Sequence, residues 1–230
     1  MLALGMIAAL AMPGTAQATP QLGDLGVKQS MSVKASNGES LEGKDLRAIQ
    51  LATYTAASVD GNTIVGYDLT TNTALASDIT AAAKAAGATD TNLTVNGKND
   101  PMVWVVKNLT DSRSDPWSGK LRNFCNSLAK QTNFAKQDGT AVSTLSQDKA
   151  TMSTGNVLVP GIYAIVDRTP ATTTLSSGTA IKTTASIMMM NGTAVNGVNQ
   201  LRTAGGTTLT LGQVIYKVSI NRVSNYFVWA

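Results

Sequence analysis

The chain has 230 residues, with 18 basic and 14 acidic side chains, a net charge of +4, one Cys and no His. Without His there is no Ser-His-Asp or Cys-His nucleophile and no His-ligated zinc, iron or haem; one Cys excludes thiolate clusters and an intramolecular disulfide. Only 14% of the residues are charged, against about 25% in an average soluble protein, so the surface takes its polarity from Thr, Ser, Asn and Gln.

Met1 to Met12 form an apolar run rich in Ala and Leu, followed by Pro13, Gly14 and the triplet Ala16-Gln17-Ala18. A short hydrophobic stretch ending in small-x-small is the pattern of a secretory signal peptide. It is too short to span a bilayer, which needs about 20 apolar residues. Residues 1–18 are therefore expected to be removed, with cleavage between Ala18 and Thr19. Lys and Arg are scattered singly from Lys28 to Arg222 with no interleaved aromatics, which leaves no stripe or stacking platform for nucleic acid.

From Gln29 to Leu69 the pattern is that of strands. Met31, Val33 and Ala35 alternate with Ser32, Lys34 and Ser36, a period of two. Asn37-Gly38 gives a turn signal. Leu46 to Tyr54 is a second extended run, with Ile49 and Leu51 on one parity and Ala48, Ala52 and Tyr54 on the other. Asp60-Gly61 between Ala57-Ser58-Val59 and Thr63-Ile64-Val65 predicts a hairpin, because such turns need positive φ.

The middle changes character. Ser77-Asp78 is expected to cap a helix through Ile79, Ala82, Ala83 and Ala86, with Gly87 as its stop. Asp100-Pro101 and Asp115-Pro116 are cap-plus-first-turn signals, since Asp accepts from free amides and Pro there loses no helical bond. After the second, Trp117, Leu121, Phe124, Cys125 and Leu128 recur at helical spacing. Met102 to Leu109 is ambiguous, its Val-Trp-Val-Val core favouring a strand and its cap a short helix.

Strands return in Val157 to Val166, a β-branched run ending at Asp167. Ala185 to Met190 is a further apolar run, expected to be broken by an Asn191-Gly192 turn. Leu209, Leu211, Val214, Tyr216, Val218 and Ile220 form the last strand pattern. The stretch around Gly205-Gly206 reads as a junction. The expected fold is mainly β, a sandwich with a helical insertion at about 74–132. The expected domains are residues 19–205, then the start of a second β domain at 206–230.

Few residues suggest chemistry. Ser127-Leu128-Ala129-Lys130 and Ser146-Gln147-Asp148-Lys149 fit the Ser-x-x-Lys pattern of serine acyl-enzymes, but the accompanying Ser-Asp-Asn and Lys-Thr-Gly elements are missing. Most of the twelve Asp stand beside Gly, Pro, Asn or Ser, where turns and caps explain them. Cys125 lies on the helical stripe and reads as a buried thiol. Trp104 and Trp117 read as core anchors. Asn92, Asn108 and Asn191 head glycosylation sequons of the kind an Asn- and Thr-rich chain acquires by chance. No catalytic, cofactor-binding or metal-ligating set is expected.

Several ordered blocks resemble one family. Gly43-Lys44-Asp45-Leu46-Arg47-Ala48-Ile49-Gln50-Leu51-Ala52-Thr53-Tyr54 resembles the "GKTFxAYxLxxY" opening of Gram-positive fimbrial subunits. Asp115-Pro116-Trp117-Ser118-Gly119-Lys120-Leu121-Arg122 and Leu158-Val159-Pro160-Gly161-Ile162-Tyr163-Ala164-Ile165-Val166-Asp167 resemble further blocks of the same N-terminal domain, and Ser186-Ile187-Met188-Met189 its closing strand. The likeness covers roughly residues 29 to 220 and is closest to sortase-assembled pilins of actinobacteria, particularly bifidobacterial ones.

The resemblance implies an exported, surface-displayed structural subunit of a Gram-positive cell, with an immunoglobulin-like sandwich. It implies other pilin subunits and a sortase as partners, Lys–Thr isopeptide links between subunits, and adhesion to host matrix or glycans. Internal Lys–Asn bonds promoted by a nearby acid are common in such domains. The chain lacks a Tyr-Pro-Lys-Asn-like pilin motif and a Leu-Pro-x-Thr-Gly sorting signal, and its last residues are Tyr226-Phe227-Val228-Trp229-Ala230. It therefore reads as an N-terminal piece of a longer subunit or a shortened gene. Lys217 is the Lys nearest the expected junction, and period two makes it a solvent-facing strand residue rather than a cross-linking acceptor. A secreted carbohydrate- or matrix-binding module and a secreted hydrolase are the alternatives.

Overall fold

The computed structural model describes residues 20–36, 38–95, 97–109, 119–170, 172–174, 180–183, 188–203, 206–216 and 220–222. In chain order the first strands are β1 (Gln21–Leu22), β2 (Ser32–Ala35), β3 (Leu46–Asp60), β4 (Thr63–Thr71), β5 (Thr94–Val95) and β6 (Lys98–Asn99). Next come β7 (Thr140–Val142), β8 (Thr144–Leu145), β9 (Thr151–Ser153), β10 (Gly161–Asp167), β11 (Thr172–Thr174) and β12 (Ala180–Thr183). The last are β13 (Met189–Gly192), β14 (Gln200–Arg202), β15 (Thr208–Thr210), β16 (Gln213–Tyr216) and β17 (Ile220–Arg222). The helices are α1 (Ala76–Ala85), α2 (Pro101–Asn108), α3 (Lys120–Leu128) and α4 (Thr132–Ala135).

The fold is mainly β, with mixed sheets. A large sheet runs β13-β10-β3-β4-β14-β15, with β1 and β7 also on β3, and a smaller one runs β16-β2-β9-β8. Most pairs are antiparallel; β14 with β4 and β16 with β2 are parallel. The two sheets enclose one core, of Met31, Val33, Leu46, Tyr163, Ile165, Val214 and their neighbours. On the other face of the large sheet, α1, α2 and α3 close a second core, with Leu51, Ile79, Met102, Phe124, Leu128 and Ile162.

β10 shows why the sequence is apolar at every step. Ile162, Ala164 and Val166 enter the helical core, Tyr163 and Ile165 the core between the two sheets, and all seven residues of the strand are buried. A sheet covered on both faces calls for a continuous hydrophobic run rather than alternation. Its neighbour β3 handles the two faces differently. Ile162 pairs with Ala52 and Tyr163 with Gln50, so Leu51 is an extra residue in the ladder. A bulge of this kind reverses the alternation. Ile49 and Leu51 before it, and Ala52 and Tyr54 after it, consequently all reach the helical core.

The expected period-two strand at Met31, Val33 and Ala35 is present, with exposures of 0%, 0% and 2%. The Asp60-Gly61 hairpin is also present, although its central residues are Gly61 and Asn62 and Asp60 itself pairs with Thr63. Among them only Gly61 has positive φ, +56°. Asn191-Gly192 is not a turn. Both residues lie in β13, opposite Tyr163 and Ile162. Gly is needed there because a Cβ would fall 2.1 Å from the Tyr54 hydroxyl. The turn falls instead at Asn196 and Gly197, with φ of 45° and 81°, between Val195 and Val198, which exchange two backbone hydrogen bonds of 2.9 Å.

The helices follow one another between β4 and β7, from the short turn Thr73–Leu75 to the end of α4. The ambiguous stretch is α2, begun by Pro101 at its first position. Asp100 does not cap it directly: its Oδ1 accepts from the Thr71 amide (3.1 Å) and the Thr71 hydroxyl, whose Oγ1 accepts from the Met102 N–H at 3.0 Å. Nor does Asp78 cap α1. Its carboxylate accepts from the Phe134 N–H at 2.8 Å and Asn133 Nδ2 at 3.0 Å, so it caps α4 from the neighbouring helix. The predicted stripe on α3 is buried, with Phe124 and Leu128 at 0% exposure and Leu121 packed beside them.

Beyond the Gly205-Gly206 junction, β15 pairs with β14 and β16 pairs with β2. Residues assigned by sequence to a second unit thus supply strands to both sheets of the first. Ala18, Thr19, Asp115, Pro116, Trp117, Ser186, Ile187, Lys217 and the last eight residues lie outside the described residues. Among the described residues no helix is long and apolar enough to cross a membrane.

Candidate functional site

The chemistry-bearing side chains that the fold brings together are Lys44, Asp167 and Tyr216. Lys44 stands two residues before β3, in a turn where its N–H donates to Leu41 O at 3.1 Å and Gly43 takes a φ of +78°. Asp167 is the last residue of β10 and Tyr216 the last of β16. Because β10 and β3 are paired as far as Asp167 and Leu46, the start of one strand and the end of the other meet at one end of the large sheet. The chain on either side is pinned too, by Arg168 N–H to Asp45 O and Asp45 N–H to Thr169 Oγ1, both 2.8 Å.

Lys44 Nζ lies 3.3 Å from Asp167 Oδ2, with side-chain exposures of 0% and 2%. The Tyr216 hydroxyl donates to the same oxygen, and the Lys44 ammonium stands 5.4 Å from the centre of the Tyr216 ring, within cation–π range. The other oxygen, Oδ1, accepts from the Thr169 N–H at 2.8 Å. Burial raises the Asp167 pKa, but hydrogen bonds from Thr169 and Tyr216 and the Lys44 charge outweigh it, and the net displacement is downward. Tyr216 moves upward, through burial first and then its bond to the Asp167 carboxylate. The carboxylate is thus held charged and the phenol neutral.

The Lys44 and Asp167 side chains are withdrawn from solvent. A cleft of about 420 Å³ lies between Leu22, Asp60, Val195 and Val198, and another of about 280 Å³ between Gln50, Thr140, Val157 and Tyr163. Neither includes a member of the cluster. What the arrangement does is join three segments distant in sequence through charges removed from water, where their mutual attraction is strong and the loss of one partner is costly.

The Ser-x-x-Lys candidates do not assemble into a nucleophile. Ser146 Oγ donates to Asp148 Oδ1 at 2.5 Å, while Lys149 Nζ pairs with Glu42 at 2.7 Å. Ser127 lies in the last turn of α3. Cys125 is buried 3.9 Å from the Met190 sulfur, and burial pushes its thiol up to about 11. Trp104 is a core residue at 8% exposure. Among the described residues there is no group of three or more His, Cys, Asp or Glu that could hold a metal ion.

Sequence reading did not assign the cluster, although each member stood in a segment it singled out. The available signal was a charge at the end of an apolar run, Asp167, and a Lys two residues ahead of β3. Nothing in a single sequence joins positions 44, 167 and 216, since the contact depends on sheet order. No family model matches the chain, and neither a curated protein nor a solved structure matches it significantly.

Proposed function

We propose that the chain is a structural subunit, or the N-terminal part of one, of a surface fibre, built on an immunoglobulin-like sandwich and contributing to cell adhesion. The observation that carries this reading is the buried Lys44–Asp167–Tyr216 brace. It concentrates charge out of water, where it can hold the sandwich together. Two sheets on one core, with the long helical excursion on the outer face of one of them, agree with the sandwich-plus-insertion of the fimbrial resemblance. In this reading the chain is exported and displayed on a Gram-positive surface. Its partners are other subunits and a sortase, with host matrix or glycans as the adhesion target.

The test is made in the cell that carries the gene. Antibodies raised against residues 20–216 are expected to decorate surface fibres, and the decoration is expected to disappear when the sortase is deleted. Decoration absent from the surface, with the chain found only free in the medium of the sortase-positive strain, would overturn the reading. An intact mass equal to that of the mature sequence is expected for an ionic brace. A mass lower by one water would show that Lys44 and Asp167 are joined by an amide, the covalent form of the same brace.

A further inference from the structure

We propose that the parallel β2–β16 pair is a tension-bearing clamp, loaded in shear when the chain is pulled from its two sides. The two strands lie in register over four positions, Ser32 opposite Gln213, Val33 opposite Val214, Lys34 opposite Ile215 and Ala35 opposite Tyr216. Because they are parallel, the chain enters β2 at one end of the pair and leaves β16 at the other. Tension applied upstream of β2 and downstream of β16 therefore draws the strands past one another along their length. The flanking backbone bonds, Ser32 N–H to Gly212 O at 2.8 Å and Ser36 N–H to Tyr216 O at 2.9 Å, carry load together with the ladder between them. In a peeled pair each rung opens in turn; in a sheared pair they must fail together. Individually modest hydrogen bonds then make a high barrier to forced unfolding.

Both strands are anchored against the slip. At the entry of β2, Met31 N–H donates to Thr154 Oγ1 and Thr154 N–H to Met31 O, both at 3.0 Å. On its far side β2 is paired with β9. Met31, Val33, Val214 and Tyr216 are buried in the sandwich core, so sliding would also expose apolar surface. At the exit of β16, Tyr216 is tied through Asp167 to Lys44, which couples the clamp to the large sheet. The Tyr216 hydroxyl is accordingly the fastener at the loaded end.

The proposal deepens the fibre reading by stating how a subunit would carry load, yet the two fail separately, because the clamp is a property of the isolated chain. Single-molecule pulling on the full mature chain tests it in two directions. With handles at the two chain ends the pair is sheared once β1 has parted from β3 and β17 from β12. With one handle at the N-terminal end and the other on Gln213→Cys, an exposed position at the start of β16, the pair is peeled. The unfolding force is expected to be at least about twofold higher in the first geometry than in the second, as a barrier set by direction requires. Tyr216→Phe is expected to lower the first force while leaving the second nearly unchanged. Equal forces in the two geometries in the native chain would overturn the proposal, whatever the variant does. A direction-dependent force untouched by Tyr216→Phe would overturn the role given to the hydroxyl.

Discussion

Among the described residues two carboxylates, Asp78 and Asp167, are buried on opposite sides of the large sheet, and they are kept out of water by different means. Asp78, on the helical side, is 5% exposed and is held by neutral donors: the Phe134 amide, the Asn133 side chain and the Ser77 hydroxyl at 3.3 Å. Asp167, on the side facing the smaller sheet, shares one oxygen between a cation and a phenol. The first is a local solution, in which a helix start supplies amide groups that need an acceptor. The second is a long-range one, and it creates a second buried charge that depends on the first. The helical layer can therefore lose its carboxylate and fray at α4, whereas loss of Asp167 takes a charged partner from the buried Lys44 and the acceptor from the Tyr216 hydroxyl.

The largest expected effect follows from that asymmetry. Asp167→Ala should destabilise by about 3–5 kcal/mol, the range for breaking a buried ion pair by removing one member, as read from urea midpoints. The double variant Lys44→Met, Asp167→Leu should recover most of the loss, since apolar replacement of a whole buried pair is commonly neutral. A double variant as unstable as the single would mean that the pair itself carries the energy. On the helical side, Phe124→Ala should cost about 3–5 kcal/mol as a deleted core aromatic. An unchanged melting curve would show that α3 contributes nothing to the fold. Asp78→Ala should cost about 1–2 kcal/mol, the scale of a lost cap, and so fall clearly below Asp167→Ala. Equal losses would erase the contrast between the two sites.

Acid provides the finest comparison. The Asp167 pKa is lowered in the folded protein, so its contribution is full above the unfolded value of about 3.9 and is lost as pH falls through the folded value. Wild type should lose stability on acidification below about pH 4, and Asp167→Asn should lose less over the same interval. Parallel slopes in the two proteins would remove Asp167 from the acid response.

How much of this was visible in the sequence differs from element to element, for physical reasons. Met31, Val33 and Ala35 declared themselves because β2 has one buried and one open face. The α3 stripe did so because a helix packed on one side repeats every three to four residues. In β3 the alternation could not be followed through, because Leu51 is inserted into the ladder and resets the parity. Asn191-Gly192 misled because Asn-Gly usually means a turn, whereas this Gly makes room for the Tyr54 hydroxyl and Asn191 Nδ2 donates to Thr210 O at 3.1 Å and Gln213 O at 2.6 Å. Asp78 misled because its position allowed a cap, but the helix it caps is another one. The brace was invisible because Lys44 and Asp167 are 123 positions apart.

The parallel pairing of β2 with β16 also dictates an order of events during synthesis or transport. Ser32 and Gly212, hydrogen-bonded at the edge of that pair, are 180 positions apart. Whatever pore or ribosome the chain leaves N-terminus first, β2 emerges early and then waits for nearly the whole chain before its partner arrives. Contacts of such long separation are closed late and slowly. The small sheet is thus the last part of the sandwich to be completed, and until then β2 presents an open edge. Such an edge can pair with other chains, which makes the interval between the emergence of residue 36 and that of residue 216 the period in which this protein most needs a holding factor.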